Sequence, residues 1–112
     1  MTYSVELTEN PEKYLLGCPG KMRQHLLGQL TVLEDSPRER GRMLRGEFRG
    51  LFRIKLYHNG TQYRAIYEIY DDEITVLVLL IHKREEVYEK LKRMKISKDR
   101  SANYCRIRRK NH

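Results

Sequence analysis

Apolar and polar residues alternate along Tyr3-Ser-Val-Glu-Leu7, and a period of two predicts a first, edge strand. Asn10-Pro11 then reads as an N-cap followed by Pro at the first helical position. A short helix to about Leu16 is expected, stopped by Gly17. Pro19-Gly20 opens a second helix. Its apolar stripe of Met22, Leu26, Leu30 and Leu33, with Leu27 beside it, recurs at helical spacing. The stripe ends near Asp35, before Ser36-Pro37. Residues 38–50 are rich in Arg and Gly without a clear period, so a loop is expected there.

Alternation returns from Leu51 to Tyr57, with Phe52, Ile54 and Leu56 inward. Asn59-Gly60 is a strong hairpin signal. The return strand runs Tyr63 to Tyr70, with Tyr63, Ala65, Tyr67 and Ile69 inward. After a turn at Asp71-Asp72, Ile74 to Ile81 is apolar on both faces, which places it in the sheet centre or under a helix. Glu85 to about Met94 reads as a closing helix with Val87, Leu91 and Met94 on one face. The order of strand, two helices, three-strand meander and helix predicts an α+β layer, with helices packed on an antiparallel sheet.

The chain has 112 residues, one domain with room for a single modest core. Its longest apolar run is far too short to span a bilayer, and no signal peptide is legible. Cys18 and Cys105 form neither a disulfide framework nor a zinc pattern, and inert, reduced thiols in a cytoplasmic protein are expected. Charge changes the picture more than length does. The net charge is +8, but residues 1–91 hold 14 Lys/Arg and 14 Asp/Glu. The excess lies in residues 92–112, with nine basic residues against Asp99. A second concentration runs from Arg38 to Arg64, with eight basic residues against Glu39 and Glu47. A polyanion is the natural partner of such patches.

The alternation that buries Phe52, Ile54 and Leu56 sends Arg53 and Lys55 to the opposite face. The same rule sends Arg64 out on the return strand, with Ile66 and Glu68. The third strand ends at His82-Lys83-Arg84, and Tyr88 lies one helical turn further on. Arg53, Lys55, Arg64, Arg84 and Tyr88, with His82 nearby, therefore converge. Such a set suits RNA cleavage without a metal ion or cofactor. Cations stabilise the extra charge of a pentacovalent phosphorane-like transition state. A lysine crowded by cations releases its proton more readily and can accept one from a 2′-hydroxyl. A tyrosine can stack on an unpaired base. Each feature also has a plainer reading. Strand-borne Arg and Lys are ordinarily a solvated face. Tyr88 suits a core edge, His82 a satisfied strand end, and the basic tail a solvated extension.

"SPRERGRMLRG", "FRIKLYHNGTQYRAIYEI" and "VLVLLIHKREEVYEKLKR" occur in that order, and together they resemble the RelE/ParE toxin superfamily of toxin–antitoxin systems. The resemblance covers about residues 2–94, a RelE-like toxin domain of 1–94, and leaves a basic tail of 95–112. It implies a RelE-like fold: a twisted, mainly antiparallel sheet, two N-terminal helices on one face and a C-terminal helix. It implies the toxin of a type II system, an mRNA interferase cutting mRNA in the ribosomal A site by attack of the 2′-hydroxyl on the adjacent phosphate. Lys55 matches the general-base lysine and Arg53 the basic residue beside it. Arg64 matches the arginine that stabilises the transition state. Arg84 matches an arginine acting as acid or phosphate ligand, and Tyr88 the stacking tyrosine. Arg45 matches a basic loop residue near the RNA, and His82 a histidine found in many relatives but not a universal catalytic one; Arg45, Arg53, His82 and Lys83 are the expected RNA-binding residues. The spacing from Arg84 to Tyr88 is shorter than in some members. The implied partners are mRNA on the ribosome and a cognate, acidic antitoxin, with no membrane. A ParE-type gyrase inhibitor and a non-catalytic RNA or ribosome binder are the alternatives on the same fold.

Overall fold

The computed structural model describes residues 2–94. The tail beyond them, expected from sequence to be either a disordered or a docked extension, lies outside the described residues. A five-stranded sheet carries the fold, in the order β1-β5-β4-β3-β2. The strands are β1 (Ser4–Leu7), β2 (Arg42–Met43), β3 (Phe52–His58), β4 (Thr61–Tyr70) and β5 (Thr75–Lys83). The meander β3-β4-β5 is antiparallel, whereas β1 pairs β5 in parallel at the sheet edge. The helices are α1 (Glu9–Leu16), α2 (Gly20–Leu30), α3 (Pro37–Arg40) and α4 (Val87–Arg93). Among the described residues no helix is long and apolar enough to cross a membrane.

The sheet buries both of its faces. On one, Leu15, Leu26, Leu30 and Leu33 pack against Ile54, Leu56, Tyr67, Val76 and Val78, the core under α1 and α2. On the other, Val87 and Leu91 of α4 cover Leu51, Ile66, Leu77, Leu79 and Leu80. The residue order of β5 explains how it serves both. Ile66 pairs Leu80 while Tyr67 pairs Val78, so Leu79 is an extra residue. This bulge sets adjacent Leu79 and Leu80 on the α4 side and returns Ile81 to the α1/α2 side. β5 lies between β1 and β4 with helices on both faces, which is the second of the two placements expected for it, under a helix.

The β3-β4 turn is Asn59-Gly60, both with positive φ (49° and 79°), the conformation a two-residue hairpin needs. Three expectations need correction. The second helix does not run on to Asp35; α2 stops at Leu30 and Thr31–Glu34 is a 3-10 turn. Asn10 does not cap α1; the cap is Thr8, whose hydroxyl donates to the Val78 carbonyl (3.0 Å) and accepts no hydrogen bond from the N–H groups of the helix. Residues 38–50 are not a plain loop. They contain the end of α3, the two-residue β2 on the edge of β3, and a 3-10 turn at Gly46–Phe48. Two residues are too few to show a period. Gly41 lets this segment approach closely: a Cβ there would collide with the Arg53 carbonyl oxygen and the Tyr67 hydroxyl. Tyr67 is fully buried, burial pushes its pKa up, and its hydroxyl donates to the Pro37 carbonyl at 2.7 Å.

Candidate functional site

Directly opposed residues of an antiparallel pair share a face, and three such rows build the site. Tyr57 pairs Gln62; Lys55 pairs Arg64, which pairs His82; Arg53 pairs Ile66, which pairs Leu80. Arg53, Lys55 and Arg64 therefore stand on one face, as the alternation predicts. That face is not free throughout, however. Ile66, expected to point outward, is fully buried because α4 lies over it. The open part begins at the N-terminal end of α4, at the Lys55–Arg64 row.

Arg64 is the best-held cation of the group. Its Nε donates to the Gln62 Oε1 (3.2 Å) and its Nη1 to the Tyr88 hydroxyl (3.1 Å). The guanidinium carbon also sits 5.8 Å from the Tyr88 ring centroid, a cation–π contact. Tyr88 enters from the first turn of α4, so the helix that closes one end of the face also braces Arg64. Lys55, across the strand, is exposed. Arg84 is exposed just past β5, and its backbone N–H donates to the Gln62 carbonyl (3.0 Å). Gln62 thus touches Arg64 through its side chain and Arg84 through its backbone. Sequence reasoning missed it, since an uncharged strand residue carries no signal of its own.

The remaining candidates lie apart from this centre. His82 shares a row with Arg64, but its ring lies against Tyr14 of α1 (centroids 5.0 Å). Its Nδ1 is 3.5 Å from a Glu86 carboxylate oxygen, too far for a hydrogen bond. Burial lowers its pKa, partly opposed by Glu86, which leaves the ring neutral near pH 7. Lys83 is in register with Tyr63, a residue of the α1/α2 core, so it belongs to the opposite face from Arg64. Arg45 is exposed in a groove of about 330 Å³ with Met43, Leu44, Gly46 and Arg49.

A second groove, of about 570 Å³, runs along the outer edge of β3 between Arg40, Gly41, Arg42, Arg53, Lys55 and Tyr57. It extends the cationic row past Lys55 and adds Tyr57, an aromatic 50% exposed on the same face. Not every cation of the Arg38–Arg64 segment is available to a ligand. Arg38 is bidentate to Asp71 (3.0 and 2.7 Å), and Arg40 is tied to the Asp35 carbonyl (3.0 Å) and carboxylate (3.4 Å). Among the described residues no three His, Cys, Asp or Glu converge on a common point.

No protein-family model matches the chain. The mRNA interferase toxin RelE of Escherichia coli is 33% identical over 97 residues, which cover 84% of this chain and 99% of that protein. A free-state E. coli RelE carrying two arginine-to-alanine changes superposes with a TM-score of 0.66 at 30% identity, over 84% of this chain and 99% of that one. The RelBE2 toxin–antitoxin complex of Mycobacterium tuberculosis gives 0.63 at 28% identity, over 75% and 93%. The intact E. coli RelBE toxin–antitoxin complex gives 0.59 at 29% identity, over 72% and 95%.

Proposed function

The chain belongs to the RelE family of mRNA interferase toxins, and from that premise we propose that it is the toxin of a type II toxin–antitoxin pair, an endoribonuclease that cuts mRNA on the ribosome. The observation that carries this reading is the Lys55–Arg64 row, with Arg64 clamped between Gln62 and Tyr88 on an open sheet face. A non-catalytic binder needs cations; it does not need one guanidinium fixed by two side-chain hydrogen bonds opposite an unrestrained lysine.

Lys55 takes the proton of the 2′-hydroxyl, and the resulting oxyanion attacks the adjacent phosphorus. The bond to the 5′-oxygen breaks, that oxygen takes a proton from water, and the products are a 2′,3′-cyclic phosphate on one fragment and a 5′-hydroxyl on the other. Arg64 is already in place for the charge that accumulates on the phosphoryl oxygens, so little reorganisation is required during the step. Arg84 acts as a phosphate ligand rather than as the acid, because a guanidinium keeps its proton. Tyr88 accepts from Arg64, which leaves its hydroxyl hydrogen and the ring edge for the substrate. Arg53 and Arg42, beside each other along the β3 groove, hold the flanking phosphates. RelE relatives are seen in complex with antitoxins, and a cognate antitoxin carrying acidic side chains would bind this charged surface and mask it.

Primer extension on mRNA from cells expressing the protein tests the proposal. Cuts in register with codons are expected, and a Lys55→Ala/Arg64→Ala double variant should lose them. Growth arrest with intact mRNA and accumulating DNA breaks would instead support gyrase as the target.

A further inference from the structure

Two histidines outside this site face each other across the α2–sheet interface. His25 stands on α2 and His58 ends β3, and their Nδ1 atoms are 2.9 Å apart. The rings meet edge-on with centroids 5.2 Å apart. His25 is exposed and His58 half-buried, so solvent reaches the pair. A neutral imidazole carries one N–H and one lone pair. Without an ion, two Nδ1 atoms at this separation share a proton as a hydrogen bond; moving that proton to the donor ring's Nε2 frees both lone pairs for a common ion. We propose that His25 and His58 form a two-histidine chelate for a divalent transition-metal ion of the Ni²⁺ or Cu²⁺ class.

The geometry selects that class. With metal–nitrogen bonds of about 2.0–2.1 Å, the observed separation subtends about 90° at the ion. That is the angle between neighbouring ligands in square-planar or octahedral coordination, which Ni²⁺ and Cu²⁺ favour. A tetrahedral ion needs its two nitrogens further apart. The frame that holds the pair is fixed by other bonds. Gln29, one helical turn beyond His25, donates to the Tyr57 carbonyl (2.7 Å) and accepts from the Tyr57 N–H (2.9 Å). Tyr57 is the residue before His58, so α2 and the end of β3 are already tied together. Binding then costs little ordering. Water completes the coordination, and the ion staples α2 to the hairpin that carries Lys55 and Arg64.

The test is thermal unfolding of the full chain at pH 7.5 with and without Ni²⁺, beside His25→Gln and His58→Gln. Ni²⁺ at tenfold its Kd should raise Tm by about 5 °C in the parent protein. Titration calorimetry should give one ion per chain. Each variant should lose the Ni²⁺-induced rise, whatever its own baseline Tm. An unmoved parent Tm, or an equal Ni²⁺-induced rise in both variants, would overturn the chelate. The readout involves no RNA cleavage, so its failure leaves the proposed function untouched.

Discussion

At the scale of single residues, the site separates groups that do chemistry from groups that hold them. Arg64 has two side-chain anchors, Tyr88 and Gln62. Tyr88 also touches the substrate in the proposed mechanism, whereas Gln62 acts through Arg64 and is a positioning residue. Gln62→Ala removes the Nε anchor but keeps the backbone carbonyl that accepts from Arg84. One such hydrogen bond contributes about 1 kcal/mol, so the cleavage rate should fall by roughly five- to tenfold. Ribosome affinity should stay within about twofold, since the cations remain. Single-turnover cleavage of a programmed ribosome separates the two. Weakened affinity with an unchanged cleavage rate would assign Gln62 to binding instead.

At the scale of elements, short segments are held by a few specific contacts rather than by packing area. α3 has four residues, and Arg38 ties it to the β4-β5 turn through Asp71. Arg38 and the Tyr3 hydroxyl hold the Asp71 carboxyl at about 2, below its ordinary 3.8. A depressed carboxylate pKa stabilises the folded state above the unfolded value, and that contribution disappears as pH falls through the folded value. Asp71→Asn should therefore lower Tm at pH 7, and the gap to the parent should close between about pH 4 and pH 2. Both partners are half exposed, so the gap should also shrink in 1 M salt. Circular-dichroism melts across this range check it; a gap constant with pH would assign the loss to packing. The same contrast between local and distant causes explains what the sequence disclosed. Asn59-Gly60, the alternation of Phe52, Ile54 and Leu56, and the outward placing of Lys55 and Arg64 depend on neighbours one or two residues away, and all are legible. The burial of Ile66 under α4, the extra Leu79, the two-residue β2 and the turn of His82 toward Tyr14 depend on distant partners in the chain. No period records such partners.

At the scale of the whole molecule, charge and chemistry occupy different parts of the chain. The proposed cleavage residues, Lys55 to Tyr88, lie in a stretch whose first 91 residues carry no net charge. Within it, Arg38 and Arg40 are spent on Asp71 and Asp35, so the local field comes from Arg42, Arg53, Lys55 and their neighbours. The excess charge belongs to residues 92–112. Charge placed outside the cleavage site adds affinity for any phosphate backbone without choosing where it is cut. Removing residues 95–112 takes away seven basic residues and Asp99. The slope of log affinity for ribosomes against log salt should become shallower, by about 0.7–0.9 for each phosphate that is no longer neutralised. The pattern of mRNA cuts should not move, because the residues that set it remain. Filter binding from about 50 to 300 mM salt, beside primer extension on the same truncated protein, measures both. An unchanged slope would place the salt-dependent contacts within residues 1–94, and a shifted cleavage pattern would give the tail a part in positioning the message.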